Sequence, residues 1–175
     1  MSTGNRPEDF MRHCLALAAE ALEFGEFPIG AIVVLDGEII GQGTATEQRE
    51  QRFLGHAEML ALEQADKRHL SFDERSRSRL FTNLEPCLMC MGAAMSFFLG
   101  EIVYGLESPA DGGVGLVRAW VRKEEDMPGY QVPKITGGLL REESIRLFQE
   151  YVARRPPGPM RDWAETLTKL RGNGC

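Results

Sequence analysis

No stretch of this 175-residue chain approaches the ~20 consecutive apolar residues that a membrane-spanning helix needs, so no membrane segment is expected. The first nine residues are polar and charged with no apolar run behind them, and no secretory signal is expected either. Cysteine is sparse. Four residues, at 14, 87, 90 and 175, are not a disulfide framework, and a reduced cytoplasm is the expected compartment. Cys14 is read as a small buried apolar group of a first helix. Basic charge is lacking too: 20 Lys and Arg stand against 26 Asp and Glu, for a net charge of −6. A polyanion partner usually shows as a basic balance or stripe, so nucleic acid is disfavoured as substrate, although a local patch can sit on an acidic protein. The best such patch is Arg141, Arg146, Arg154, Arg155, Arg161, Lys169 and Arg171, read here as a solvated helix face. Internal repeats and low-complexity tracts are absent.

What remains has the balance of a globular domain, with 43% hydrophobic and 26% charged residues, and one packed domain is expected. Pro7, Glu8 and Asp9 open a helix whose apolar residues, Phe10, Cys14, Leu17, Ala18, Ala21 and Leu22, recur at helical spacing until Gly25. Residues 29–35 form an apolar strand, Asp36-Gly37 a hairpin turn, and residues 38–42 the returning strand. Residues 44–55 read as a loop and 56–67 as a helix. Residues 73–79 read as a charged connection, 80–84 as a strand, and 87–98 as an apolar helix opened by Pro86. A strand at 101–106, a glycine-rich loop at 109–115, an edge strand at 132–136 and an amphipathic helix at 139–152 follow. Pro156-Pro157-Gly158-Pro159 breaks the chain before a short helix around Trp163. Helix, hairpin, then alternating helix and strand predict an α/β fold with a mixed sheet covered on both faces.

Two short segments carry the chemistry. His56-Ala57-Glu58 opens one helix, and Pro86-Cys87-Leu88-Met89-Cys90 opens another. One imidazole and two thiolates are three zinc ligands, which leaves the fourth tetrahedral position open for water, as catalytic sites require. Cys87 and Cys90 are three apart and can face the same way from a helix. Positive helix N-termini favour both thiolates. Glu58, two residues from His56, lies beside the metal without being needed as a ligand. Either segment alone is weak evidence, since a lone C-x-x-C also suits a redox pair.

Together they match the signature of zinc-dependent nucleobase deaminases. The chain resembles the cytidine-deaminase-like superfamily, and within it the branch of tRNA adenosine deaminases and guanine deaminases. Four blocks between about residues 10 and 155 carry the likeness: Glu26-Phe27-Pro28-Ile29-Gly30-Ala31, His56-Ala57-Glu58, Leu84-Glu85-Pro86-Cys87-Leu88-Met89-Cys90-Met91-Gly92-Ala93, and Ile102-Val103-Tyr104-Gly105. The resemblance implies a three-layer α/β/α fold with a five-stranded mixed sheet. It implies one Zn2+ per chain on His56, Cys87 and Cys90, with Glu58 as proton shuttle for attack by a zinc-bound hydroxide, and a homodimer. The expected division is a deaminase domain over residues 1–155 and a tail over 156–175, a candidate lid or dimer contact.

The departures fall on substrate recognition. Ala45, in Gly43-Thr44-Ala45-Thr46, aligns with an Asn whose amide reads the base in the family, and Arg52-Phe53-Leu54 replaces an Asp-Pro-Thr. Alanine has no donor or acceptor to replace an amide. Phe27, Ile29, Thr44, Ala45, Ala57, Leu84, Glu85, Pro86 and Trp163 are the candidate substrate contacts, with Gln42, Gln48 and Phe53 as further polar or apolar neighbours. The favoured reading is hydrolytic release of ammonia from a small aminated nucleobase, nucleoside or related heterocycle. The alternatives are a tRNA-specific adenosine deaminase, converting adenosine to inosine, and a non-catalytic zinc-stabilised binding protein.

Overall fold

The computed structural model describes residues 6–121 and 129–170. Helix α1 (Pro7–Glu23) leads into the hairpin of strands β1 (Gly30–Leu35) and β2 (Glu38–Thr44). Helices α2 (Ala57–Asp66) and α3 (Phe72–Arg77) precede strand β3 (Arg79–Leu84). Helix α4 (Leu88–Ser96), strand β4 (Glu101–Leu106), helix α5 (Val114–Ala119) and strand β5 (Lys134–Thr136) follow, and helices α6 (Arg141–Arg154) and α7 (Pro159–Thr168) close the chain. The sheet order is β2-β1-β3-β4-β5. β1 is antiparallel to β2 and to β3, whereas β3, β4 and β5 run parallel. The expected five-stranded mixed sheet between helices is what the chain forms.

β1 is buried on both faces, and its side chains alternate between them with a period of two. Ala31 and Val33 join a cluster with Ala57, Ala61, Leu80, Met91 and Ala94, on the side of α2 and α4. Ile32 and Val34 join Phe10, Met11, Cys14 and Phe81, on the side of α1. A third cluster joins Leu84 and Leu106 to Phe148 and Tyr151 of α6 and to Ala164 and Leu167 of α7. Cys14 is fully buried, its thiol donating to the Phe81 carbonyl, and serves as core. The hairpin turn uses Asp36 and Gly37, both at positive φ, the geometry of a type I′ turn.

Several boundaries differ from the sequence reading: α4 ends at Ser96, β5 is confined to Lys134–Thr136, and α6 runs Arg141–Arg154. β2 runs to Thr44, two residues beyond the expected end. The charged connection is largely α3, opened by a capping box in which Ser71 and Glu74 satisfy each other's backbone donors. The glycine-rich loop is shorter than expected, because α5 begins at Val114.

Helix α2 sits on β2 at backbone distance. A Cβ on Gly41 would lie 2.2 Å from the Ala61 carbonyl oxygen, and one on Gly43 would lie 2.4 Å from that of Ala57. These bare positions set the height of the α2 N-terminus above the sheet. Gly43→Ala is therefore expected to lift that end of the helix and to destabilise the fold by about 1–3 kcal/mol, an overpacking cost. Thermal unfolding, read with the zinc content of the purified protein, checks this: both should fall.

Candidate active site

One end of the sheet collects every element of the site. Because β1 is antiparallel to β3, the start of β1 lies beside the C-terminal end of β3, and the end of β2 lies beside the start of β1 on its other edge. Ligand sites of open α/β sheets gather outside the carboxyl ends of parallel strands. Here β3 delivers Cys87 as the N-cap of α4 and Cys90 in its first turn, while His56 is the N-cap of α2.

His56 Nδ1 lies 3.6 Å from Cys87 Sγ and 3.6 Å from Cys90 Sγ, and the two sulfurs are 3.6 Å apart. A tetrahedral zinc with bonds of about 2.3 Å to sulfur and about 2.0–2.1 Å to nitrogen spaces its ligand atoms roughly 3.6–3.8 Å apart. The triad fits the ion, and His56, Cys87 and Cys90 are positioned to hold one zinc. Contact with Cys90, and then with His56, pulls the Cys87 thiol down to about 4. Contact with Cys87 lifts His56 to about 9. The Cys90 thiol is raised, first by Cys87 and then by burial.

Glu58 lies in the first turn of α2, buried beside the triad. Thr82 Oγ1 donates to its Oε1 at 3.2 Å, and its Oε2 is 3.6 Å from Cys90 Sγ. Burial holds its carboxyl above the usual carboxylate range.

A cavity of about 870 Å³ opens on the triad. Phe27, Ile29, Leu84 and Trp163 line it together with His56, Glu58 and Cys87. Trp163 packs edge-on against Phe27 at 5.1 Å and against Phe148 at 6.1 Å, so the C-terminal segment forms a wall of its own chain's cavity. Of the candidate substrate contacts, Phe27, Ile29, Leu84, Glu85 and Trp163 line this space, whereas Thr44, Ala45, Ala57 and Pro86 are not among its lining residues. The physical reason is plain for two of them: Ala45 and Ala57 are buried in the packing beneath. Gln48 and Phe53 also line it. Gln42 instead pairs with His13 and, through its backbone, with Gln64.

Glu85 reaches the cavity with a carboxylate already engaged, accepting the backbone N–H groups of Ser108 and Val114 at 3.0 and 3.1 Å. Three residues that the sequence reading passed over shape the same end. Asn83, fully buried, donates to the Pro28 carbonyl and accepts from Gly30 N–H, fixing the chain that carries Phe27. Glu26, also buried, accepts the N–H groups of Gln48 and Arg49 and ties down the loop after β2. Glu47, in that loop, brings Oε1 to 3.7 Å from His56 Nε2. The only advance signal was the position of Glu26 at the head of a block already singled out.

The basic patch is largely neutralised. Arg141 pairs with Glu107, Arg146 with Glu143, Arg154 with Glu23 and Glu150, and Arg161 and Lys169 with Glu165. Arg155 donates to Gln48 and has no carboxylate partner among the described residues, and Arg171 lies outside them. No helix among the described residues is long and apolar enough to cross a membrane.

Residues 5–106 match the model of the cytidine and deoxycytidylate deaminase zinc-binding region. The chain is 35% identical over 136 residues to a tRNA-specific adenosine deaminase of Bacillus subtilis, covering 78% of this chain and 82% of that protein. It is 39% identical over 141 residues to a tRNA(Ile)-lysidine synthase of Deinococcus radiodurans, covering 80% of this chain but spanning only 23% of that longer protein. The solved guanine deaminase from Nitrosomonas europaea superposes with a TM-score of 0.65 at 28% identity, over 83% of this chain and 84% of that one.

Zinc takes His in its neutral form and Cys as thiolate. Between about pH 4 and 9 the metal-free triad carries a Cys87 thiolate, a protonated His56 and a Cys90 thiol, so loading displaces one proton from His56 and one from Cys90. Zinc affinity is expected to rise with pH across this window, with about two protons released per ion. Calorimetry in buffers of different ionisation enthalpy counts them.

Proposed function

This chain belongs to the cytidine and deoxycytidylate deaminase family and is a zinc-dependent hydrolytic deaminase, and from that premise we propose that it acts on a free aminated heterocycle: a nucleobase, a nucleoside or a related ring. The observation that carries the reading is the cavity. Its size, about 870 Å³, falls within the range of small-molecule sites. Phe27, Ile29, Leu84 and Trp163 give it flat apolar walls suited to a planar ring, directly above the triad.

Zinc, when bound, supplies a water whose pKa falls from 15.7 towards about 7. Glu58 does the proton work. Thr82 fixes Oε1, and Oε2 is turned to the Cys90 side of the triad. The carboxylate takes the proton of the attacking water and passes it to a ring nitrogen. It then takes the second proton from the added hydroxyl and delivers it to the departing amine, so the C–N bond breaks, ammonia leaves and the ring carbon keeps the oxygen. Its raised pKa suits a group that must carry a proton between these partners.

Ion pairing across Arg141, Arg146, Arg154, Arg161 and Lys169 leaves little free positive charge for a phosphate backbone, which supports a small substrate over RNA. The likeness to tRNA-specific adenosine deaminases favours the second reading, deamination of adenosine in transfer RNA. The homodimer implied by the resemblance belongs to this proposal as well, and light scattering would read it as twice 19.5 kDa.

Ammonia release by the zinc-loaded protein, offered free bases, nucleosides and transfer RNA in parallel, is the test. Turnover of a small ring but not of RNA is expected, with Glu58→Gln lowering it by about 10²- to 10⁴-fold while zinc stays bound. Turnover of RNA alone would overturn the small-ring reading, and unchanged turnover in Glu58→Gln would remove Glu58 from the chemistry. Trp163→Ala takes away one wall, and steady-state kinetics should show KM rising by about tenfold with a smaller change in kcat, as expected for a ring contact made equally in ground and transition states.

A further inference from the structure

We infer that Glu47 is the positioning residue of the metal centre: its carboxylate accepts the Nε2–H of His56 and so holds the ring in the tautomer whose Nδ1 is free to bind zinc. This rests on the zinc reading of the triad and extends it to a residue outside the ligand set.

The placement follows from how the loop after β2 closes. Thr46 N–H donates to the Gly55 carbonyl at 3.0 Å, its Oγ1 donates to the same oxygen at 3.3 Å, and Arg52 N–H donates to the Glu47 carbonyl at 3.0 Å. A Cβ on Gly55 would lie 2.6 Å from Thr46 Oγ1, so the two ends of the loop meet at van der Waals distance. Closing the loop between residues 46 and 55 sets residue 47 beside residue 56. Glu26 clamps the loop from below through Gln48 and Arg49, so the juxtaposition is held from two sides.

The ring nitrogens of His56 then divide their work. Nδ1 faces both sulfurs at 3.6 Å and is the metal-side atom. Nε2 faces Glu47 Oε1 at 3.7 Å, and no other carboxylate oxygen approaches it within 4.0 Å among the described residues. At 3.7 Å this is an ionic contact rather than a hydrogen bond. The other oxygen, Oε2, is buried without any hydrogen-bond partner. Oε2 thus has an open acceptor site beside the ring. A metal-ligating histidine almost always donates its second N–H to such an acceptor, which fixes the tautomer and makes the ligand more basic. A buried carboxylate with one unpartnered oxygen, held inside a closed loop beside that nitrogen, meets this requirement.

Glu47→Ala and Glu47→Gln test it, with three readouts on the full chain: the zinc dissociation constant by competition with a chromophoric chelator, the melting temperature of the metal-free protein, and the imidazole 15N spectrum of the zinc-loaded protein. Glu47→Ala should weaken zinc binding by about 10- to 100-fold, and Glu47→Gln, which keeps an acceptor oxygen, by less. The melting temperature of the metal-free protein should stay level or rise, since an unpartnered buried acceptor is removed. The exchange-protected His56 Nε2–H signal should be lost in the alanine variant. A zinc dissociation constant within twofold of the wild type in Glu47→Ala would overturn the assignment. So would weakened binding matched by a fall in metal-free stability, because Glu47 would then only hold the loop. If the wild type binds zinc but releases no ammonia from any ring, the proposed reaction fails while the role of Glu47 stands.

Discussion

Three ligand atoms must meet at 3.6 Å although the chain separates His56 from the cysteines by more than thirty positions. That spacing governs the architecture. It is met by bringing two helix N-termini to the same end of one sheet, which requires β1 to run against both β2 and β3 while β3 and β4 run together. A hairpin followed by a parallel crossover does this with short connections. Both helix starts then point partial positive charge into the same space, where sulfur anions and a carboxylate gather.

Carboxylates also hold the walls. Glu26 receives two backbone N–H groups from the loop after β2, and Glu85 receives two from the loop after β4. Each turns an irregular segment into a fixed one by satisfying donors that no sheet or helix would satisfy. Gly112 belongs to the second arrangement, since a Cβ there would lie 2.4 Å from the Glu85 carboxylate. The cavity is thus bounded by loops that are held as firmly as the helices beside them, which is what a site for a rigid ring needs.

Much of this was legible in the residue order, and the misses have physical causes. Strands β1, β3 and β4 are apolar runs bounded by turn residues, and the metal ligands open helices whose starts are marked by Pro86 and the His-Ala-Glu segment. Helix α3 escaped because it buries nothing, so it has no apolar periodicity, although its Ser71-x-x-Glu74 box was there to be read. Helix α5 escaped behind its glycines. Thr44, Ala45, Ala57 and Pro86 are candidate contacts that do not line the cavity, and residue order alone does not say which atoms face it. Glu26 was marked only by standing at the head of a quoted block, and Glu47 not at all: an acidic residue in a polar loop looks like any other until tertiary closure removes it from water.

The aromatic wall raises a different matter. Tyr151 and Trp163 come from the last two helices, whereas His56, Glu58, Cys87 and Cys90 come from the middle of the chain. Among the described residues, these two rings and the metal triad come from separate segments of the chain. Descendants of such a chain can therefore reshape this part of the wall by drift in the C-terminal third while the triad is inherited intact. Selection acts on two separable inheritances within one fold.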